Sequence, residues 1–146
     1  MWATMDYGRM LAELFQEEDR AREMASRLMH IAQSSSDAAA TERPSLLAFL
    51  RGPMEHHMAY EERAIFPQLV QHGLAPEVQV AEKQHAAMRQ AADNLAAMEQ
   101  GNKDDIARQI FEAARLMLHH TNFEGDYIYP ELTREAWLDL MKESVR

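Results

Sequence analysis

The sequence predicts an all-α protein, an up-down-up-down four-helix bundle with a short fifth helix at its C-terminal end. The 146-residue chain contains only five Gly and five Pro, while residues that favour helices, such as Ala, Leu, Glu, Gln and Met, are common. Long stretches carry apolar residues at intervals of three and four, as helices with one buried face do. Short breaks separate these stretches and favour antiparallel neighbours. The length is that of one domain, which we assign to residues 1–146.

The breaks in the pattern define where the predicted helices begin and end. A small, polar segment at 34–43 reads as a loop before Pro44, Gly73 is soon followed by Pro76, and Gly101 precedes two aspartates. Glycine commonly ends a helix, and proline or an acidic residue commonly occupies a first turn. We therefore predict four long helices and one short amphipathic helix, at about 4–33, 44–72, 76–100, 103–129 and 134–143.

Composition argues against several classes of function. The net charge of −9 repels polyanions, so nucleic acid and anionic membranes are poor partners. The absence of Cys excludes disulfides, thiolate metal sites and cysteine catalysis. No apolar run approaches the roughly 20 residues of a membrane span, and the N-terminus shows no signal-peptide pattern. We therefore expect a soluble, cytoplasmic protein.

In each predicted long helix, the apolar stripe is interrupted part way along by Glu or His. An ionised carboxylate that is buried without a partner is strongly unfavourable, and no Lys or Arg lies on the same stripes. Imidazole nitrogen and carboxylate oxygen together suit a metal centre. The interrupting residues, which we predict as metal ligands, are Glu18, His57, Glu61, His85, His120 and Glu124.

The sequence also contains an internal repeat with an offset of 63 residues. Both copies read His-His-x-x-x-Glu-x-x-x-Ile-aromatic-Pro-x-Leu, beginning at His56 and at His119. A His and a Glu four positions apart share one helix face, with Cβ atoms about 5–6 Å apart. Each pair can therefore hold one ion or contribute to two. Six ligands exceed the needs of one open ion, and the donor set favours two ions of iron or manganese.

The repeated His-x-x-x-Glu with its trailing Phe/Tyr-Pro-x-Leu resembles the hemerythrin-like, or HHE cation-binding, domain family. The resemblance covers nearly the whole chain. It implies a helical bundle around two non-heme irons that are bridged by an oxo or hydroxo group. In such a centre the irons interact with dioxygen, nitric oxide or peroxide. By motif position it carries five ligands over to this chain, namely His57, Glu61, His85, His120 and Glu124.

Two departures from the family pattern concern helix 1 and helix 3. The family usually has a His early in helix 1, where this stripe offers Glu18, with Glu17 and Asp19 as alternatives. Hemerythrin itself has a second His three or four residues after the helix 3 histidine, where Met88 and Arg89 stand. A site richer in carboxylates favours oxidised iron. It therefore favours redox or sensing chemistry over simple reversible oxygen carriage.

We predict that the two glutamates of the repeat bridge the irons. The remaining ligands are Glu18 and His57 for one ion, and His85 and His120 for the other. The predicted function is binding of dioxygen, nitric oxide or peroxide for sensing, storage, or iron and redox handling. One alternative is a di-iron oxidase, peroxidase or nitric-oxide-reducing enzyme, and another is a metal-free helical interaction module. A homodimer or an unknown protein partner stays open.

Other residues of the repeat are not predicted as metal ligands. His56 and His119 lie about 100° from the ligand face, so we expect outer partners of the ligands or interface residues rather than ligands. Tyr60 and Tyr127 are candidates for lining the pocket, although core packing is the commoner role. A proline also follows each glutamate of the repeat by about one and a half turns, where it should bend or end the helix: Pro67 and Pro130.

Overall fold

The computed structural model describes residues 7–132, and this range is helical apart from short connections. Among these residues, no helix is both long enough and apolar enough to cross a lipid bilayer. The predicted fifth helix at 134–143 and the first residues of predicted helix 1 lie outside the described range. The helices in chain order are α1 (Tyr7–Ser34), α2 (Ser36–Thr41), α3 (Arg43–Phe49), α4 (Glu55–Tyr60), α5 (Phe66–Gln71), α6 (Ala75–Ala96), α7 (Lys103–Tyr127) and α8 (Tyr129–Leu132).

The second predicted helix is a continuous helical stretch, 43–71, in which α3, α4 and α5 are joined by two π-helical segments, Leu50–Met54 and Glu61–Ile65. Helix α7 packs against both α1 and α6, and the stretch 43–71 packs against α6. The all-α prediction is confirmed for the described residues. The up-down-up-down order of the four long helices stays a prediction.

The segment predicted as a loop, 34–43, contains α2, so that prediction is wrong. The side chain of Ser35 caps this helix by accepting a hydrogen bond from the Ala38 N–H at 3.1 Å. Serine at a helix N-cap satisfies a backbone donor that would otherwise be free. Three alanines follow, and Ala39 is fully buried. Local capping and alanine propensity therefore make a helix of a segment whose composition resembles a loop.

The backbone departs from a regular α-helix just before each proline of the repeat. Helix α7 ends shortly before Pro130, and the π-helical segment Glu61–Ile65 ends two residues before Pro67. The residue two positions before each proline departs from ideal helical geometry in the same way, with φ −103° and ψ −50° at Ile65 and φ −105° and ψ −58° at Ile128. Proline lacks the N–H that would continue the helical ladder. Both copies of the motif therefore share one backbone feature next to the predicted ligands.

Within residues 7–132, the apolar interior consists of two separate cores. The large core contains Leu28, Leu46, Leu95 and Ile110 among others, and the small core contains Leu14, Phe66, Leu69 and Ile128 among others. Along each of the four long helical stretches, the change from one core to the other falls at the predicted glutamate or histidine ligands. The fold thus holds a layer of polar side chains between two apolar cores.

The large core should dominate the stability of the metal-free protein. Ile110 is fully buried there, so we expect Ile110→Ala to lower the free energy of unfolding by about 2–5 kcal/mol because it removes apolar contacts and leaves a cavity. Urea unfolding followed by circular dichroism measures this loss. The control is Val80→Ala on α6, where the side chain is 41% exposed and the change should stay within about 0.5 kcal/mol. Equal losses in the two variants would contradict this location of the core.

Candidate metal centre

The structure brings all six predicted ligands together in the polar layer, and we call them the Glu/His cluster. None of the six is more than 5% exposed, and both glutamates of the repeat are fully buried. Their side chains form two overlapping groups of four, and within each group one nitrogen or oxygen atom from every residue lies within 4.8 Å of the others. The members of the cluster come from α1, α4, the second π-helical segment, α6 and α7: Glu18, His57, Glu61, His85, His120 and Glu124.

The first group consists of Glu18, His57, Glu61 and Glu124. The Nε2 atom of His57 lies 3.1 Å from Glu18 Oε1 and 3.3 Å from Glu61 Oε2. One imidazole nitrogen therefore faces carboxylates from two different helical stretches. Three carboxylates and one imidazole in such a space form a site for a cation that prefers oxygen and nitrogen donors.

The second group consists of Glu61, His85, His120 and Glu124. The Nε2 atom of His120 lies 3.1 Å from Glu124 Oε1. The Nε2 atom of His85 lies 3.2 Å from Glu61 Oε1 and 3.8 Å from Glu124 Oε2. Both histidines thus direct Nε2 into the cluster, His85 toward both glutamates of the repeat and His120 toward Glu124.

Glu61 and Glu124 belong to both groups, and each directs its two oxygens to different histidines. Glu61 places Oε2 near His57 and Oε1 near His85. Glu124 places Oε1 near His120 and Oε2 near His85. A carboxylate oriented in this way is able to serve two cations at once.

Several polar atoms of the cluster have no hydrogen-bond partner within the described part of the chain. They are Glu18 Oε2, Glu61 Oε1, His85 Nε2, His120 Nε2 and both carboxylate oxygens of Glu124. Leaving a buried polar atom unsatisfied costs about 1–3 kcal/mol. Cations placed among these atoms would satisfy nitrogen and oxygen together, so the residues present fit a metal centre.

Burial and neighbouring charges shift the pKa values of two residues of the metal-free cluster. Burial disfavours the charged form of His57, but the charge of Glu61 and hydrogen bonds to Glu17 and Glu18 outweigh it and raise the pKa of His57 to about 12. Burial also raises the pKa of Glu124 well above its ordinary value, and the negative charge of Glu61 adds to this effect. Protons therefore supply positive charge that metal ions would otherwise provide.

The helix 1 position is occupied by Glu18, and its two acidic neighbours face elsewhere. Glu18 is 5% exposed and lies in the first group. Glu17 accepts a hydrogen bond from the other ring nitrogen of His57, Nδ1, at 2.7 Å. Asp19 is exposed and accepts a hydrogen bond from Arg22 at 2.8 Å. Successive residues of a helix point about 100° apart, so only one residue of this acidic run enters the cluster.

Each cluster histidine also makes a hydrogen bond at Nδ1, on the side away from the cluster. We call these three contacts, each 2.7 Å long, the outer hydrogen bonds; they join His57 to Glu17, His85 to Glu62 and His120 to Gln84. From the sequence, Glu17 is only an alternative ligand, and Glu62 and Gln84 have no predicted role. The available signal was their position directly beside a predicted ligand in the sequence.

The residues predicted as outer partners do not occupy that position. His56 and His119 are both exposed, and within residues 7–132 the three outer hydrogen bonds use other side chains. The prediction of an outer role was therefore wrong, because the direction that leads away from the ligand face points to solvent at these positions. Their alternative role at an interface stays a prediction.

Tyr129 is a further residue of the site that the sequence analysis did not assign. Its hydroxyl donates a hydrogen bond to Glu61 Oε2 at 2.7 Å and lies 3.2 Å from both Glu18 Oε1 and His57 Nε2. Its ring is buried. The repeat aligns Tyr129 with Phe66, whose ring stacks on His85 with centroids 5.4 Å apart. The aromatic position of the motif therefore contacts the cluster in both copies.

The two tyrosines considered as pocket residues lie outside the cluster. Tyr127 is 55% exposed. Tyr60 is buried in the small core, where its hydroxyl donates to the sulfur of Met10 at 2.6 Å. For Tyr60 the core-packing interpretation is the correct one.

Comparison with known proteins agrees with this geometry. The family described as Hemerythrin HHE cation binding domain matches residues 9–132, a range that includes the whole Glu/His cluster and both copies of the repeat. No curated protein and no solved structure gives a significant match to the chain. The family match spans most of the sequence and confirms the resemblance carried by the repeated motif: the chain belongs to the hemerythrin HHE cation-binding domain family.

Proposed function

We propose that the chain binds two iron ions in the Glu/His cluster and that these ions bind a small oxidant, namely dioxygen, nitric oxide or peroxide. The observation that carries this proposal is the overlap of two four-residue groups at Glu61 and Glu124. Two groups that share two carboxylates, each with its oxygens facing different histidines, support a pair of neighbouring ions rather than one.

In this proposal Glu61 and Glu124 serve both ions. Glu18 and His57 complete the ligands of the first ion, while a histidine from α6 and one from α7 complete the second. The three carboxylates carry a formal charge of about −3, which offsets most of the charge of two divalent cations, and this donor set suits iron or manganese. Bound iron would supply electrons and coordination positions for a small molecule.

The protein's own residues would restrict and orient the incoming molecule. The two apolar cores on either side of the polar layer exclude bulk water. The hydroxyl of Tyr129 provides a hydrogen-bond donor in the first group. One small pocket, lined in part by Phe49, Pro53 and Met54, reaches Glu18 and His57 from the surface. These features support a ligand of a few atoms.

A redox enzyme is the second candidate, and the number of carboxylates in the cluster favours it. Carboxylate oxygens stabilise oxidised iron more than imidazoles do, which supports oxidase, peroxidase or nitric-oxide-reducing chemistry. The metal-free interaction module has less support, because six polar atoms of the cluster have no hydrogen-bond partner within the described residues.

Metal analysis tests the ion pair directly. Protein purified from iron-supplied cells should contain about two irons per chain, as a centre with two bridging carboxylates requires. We expect Glu61→Ala to lose most of this iron because the residue belongs to both groups. The control is Glu112→Ala, which removes a partly exposed carboxylate paired with Arg115 and should leave the iron content unchanged. Less than about one iron per chain in the unaltered protein would overturn the proposal.

Buried carboxylates lower the unfolding free energy of the metal-free protein, and this gives a second test. Glu124→Gln keeps the size of the side chain but supplies an amide donor for the neighbouring carboxylates, so the metal-free protein should gain about 1–3 kcal/mol of unfolding free energy. Added Fe²⁺ should raise the thermal midpoint of the unaltered protein and have a much smaller effect on the variant. Anaerobic thermal unfolding with chelator and with Fe²⁺ measures both effects. A metal-free variant that is less stable than the unaltered protein would contradict this account of the cluster.

Exposure of the reduced, iron-loaded protein to dioxygen separates binding from catalysis. For a binding protein we expect a change in the visible spectrum that reverses when the gas is removed. Continued dioxygen consumption in the presence of a reductant would instead favour the enzyme. Glu61→Ala serves as the control in both measurements and should show neither response.

A further inference from the structure

The three outer hydrogen bonds follow one rule along the chain. The residue that holds His57 comes from α1, the residue that holds His85 comes from the second π-helical segment, and the residue that holds His120 comes from α6. In every case the partner is contributed by the preceding long helical stretch. Each contact is 2.7 Å long, which is at the short end of the usual distances for N–H···O hydrogen bonds.

Each outer partner is also the direct sequence neighbour of a cluster residue. Glu17 precedes Glu18, Glu62 follows Glu61, and Gln84 precedes a cluster histidine. Adjacent positions on a helix point about 100° apart. One side chain can therefore enter the cluster, while the side chain next to it forms a hydrogen bond with Nδ1 of a cluster histidine on the next helical stretch.

This arrangement determines which ring nitrogen faces the cluster. A carboxylate or amide oxygen near Nδ1 accepts a hydrogen bond from the N–H of that nitrogen. The other ring nitrogen, Nε2, is then free to bind a cation. In metal sites, removal of such an outer partner typically costs about 10–100-fold in affinity. The outer hydrogen bonds are thus able to influence the metal without any contact to it.

The partner of His85 is the most firmly held of the three. The Glu62 carboxylate accepts hydrogen bonds from Arg89 at 2.8 and 3.0 Å. Arg89 in turn donates two hydrogen bonds of 2.8 Å to Glu55. A guanidinium that donates two hydrogen bonds to each of two carboxylates holds them in a fixed geometry. Because Glu55 accepts from Nε and Nη2 of Arg89 while Glu62 accepts from Nη1 and Nη2, the network fixes the position of the Glu62 oxygen that contacts His85.

We propose that Glu62 and Arg89 are positioning residues for the metal centre: Glu62 holds His85 with Nε2 toward the second ion, and Arg89 acts through Glu62. This inference rests on the two-ion site proposed above. Arg89 follows His85 by four residues, so it projects from the same side of α6. It stabilises the centre from outside instead of contributing a ligand.

The test uses Glu62→Ala, Glu62→Gln and Arg89→Gln, with Glu112→Ala and Arg115→Gln as controls for an arginine–carboxylate pair remote from the cluster. The measurement is transfer of Fe²⁺ from the loaded protein to a chelator under anaerobic conditions. We expect Glu62→Ala to weaken one of the two ions by about 10–100-fold and leave the other nearly unchanged. Glu62→Gln keeps an oxygen acceptor and should restore most of the affinity, Arg89→Gln should fall between the two, and the controls should match the unaltered protein.

A second measurement on the metal-free protein separates positioning from general stability. Nitrogen-15 NMR of the imidazoles should show His85 Nδ1 in a hydrogen bond in the unaltered protein and that hydrogen bond lost in Glu62→Ala, while the Nδ1 hydrogen bond of His120 to Gln84 stays as it was. Unaltered protein that binds no iron would end the proposed function, yet the imidazole spectra would still test the positioning. Unaltered protein that binds two irons, beside a Glu62→Ala variant with the same iron release and the same His85 spectrum, would overturn the positioning role alone.

Discussion

The burial of three carboxylates in the middle of a small helical protein is the constraint on which the rest of the structure depends. Glu61 and Glu124 are fully buried, and Glu18 nearly so. Apolar cores lie on both sides of them, so water cannot solvate their charge. Ionised groups in such a place need partners of opposite charge. The cluster histidines meet part of that need, and the shape of the cluster leaves the remainder for cations.

The helices satisfy this constraint through pairs of neighbouring side chains. One member of a pair enters the cluster and the next member holds a histidine on an adjacent stretch, as Glu61 and Glu62 do. A straight helix turns by about 100° per residue, which provides the required change of direction with no special backbone. Glu61 and Glu62 themselves lie in the π-helical segment Glu61–Ile65, which begins at a cluster residue. The other π-helical segment among the described residues, Leu50–Met54, contains no cluster residue. Such π-helical turns are common at functional sites.

Much of the fold and of the inner site followed from the sequence because both depend on periodicity. The 63-residue repeat indicated the two His/Glu pairs, and the apolar stripe of helix 1 favoured Glu18, with Glu17 and Asp19 as alternatives. The outer partners were missed because Glu62 and Gln84 lie off the stripes, where a polar residue normally faces solvent. Only the packing of neighbouring helices reveals what they touch.

Two further misses had local causes. Tyr129 occupies the aromatic position of the repeat, where the first copy has Phe66. Because the repeat pattern requires only an aromatic ring there, it does not indicate a role for the Tyr129 hydroxyl. The segment around α2 is rich in Ser and Ala, and its helix depends on one cap at Ser35. A single side-chain hydrogen bond of this kind has no periodic signature.

The division of the interior into two cores has a consequence for how the molecule comes apart. The polar layer crosses all four long helical stretches, and cations in it would act as cross-links between them. With metal bound, the two cores are tied together and should melt as one cooperative unit. Without it, this cross-link is absent, and we expect the two cores to open more independently of each other. Loss of iron would then be a local loosening at the middle of the protein.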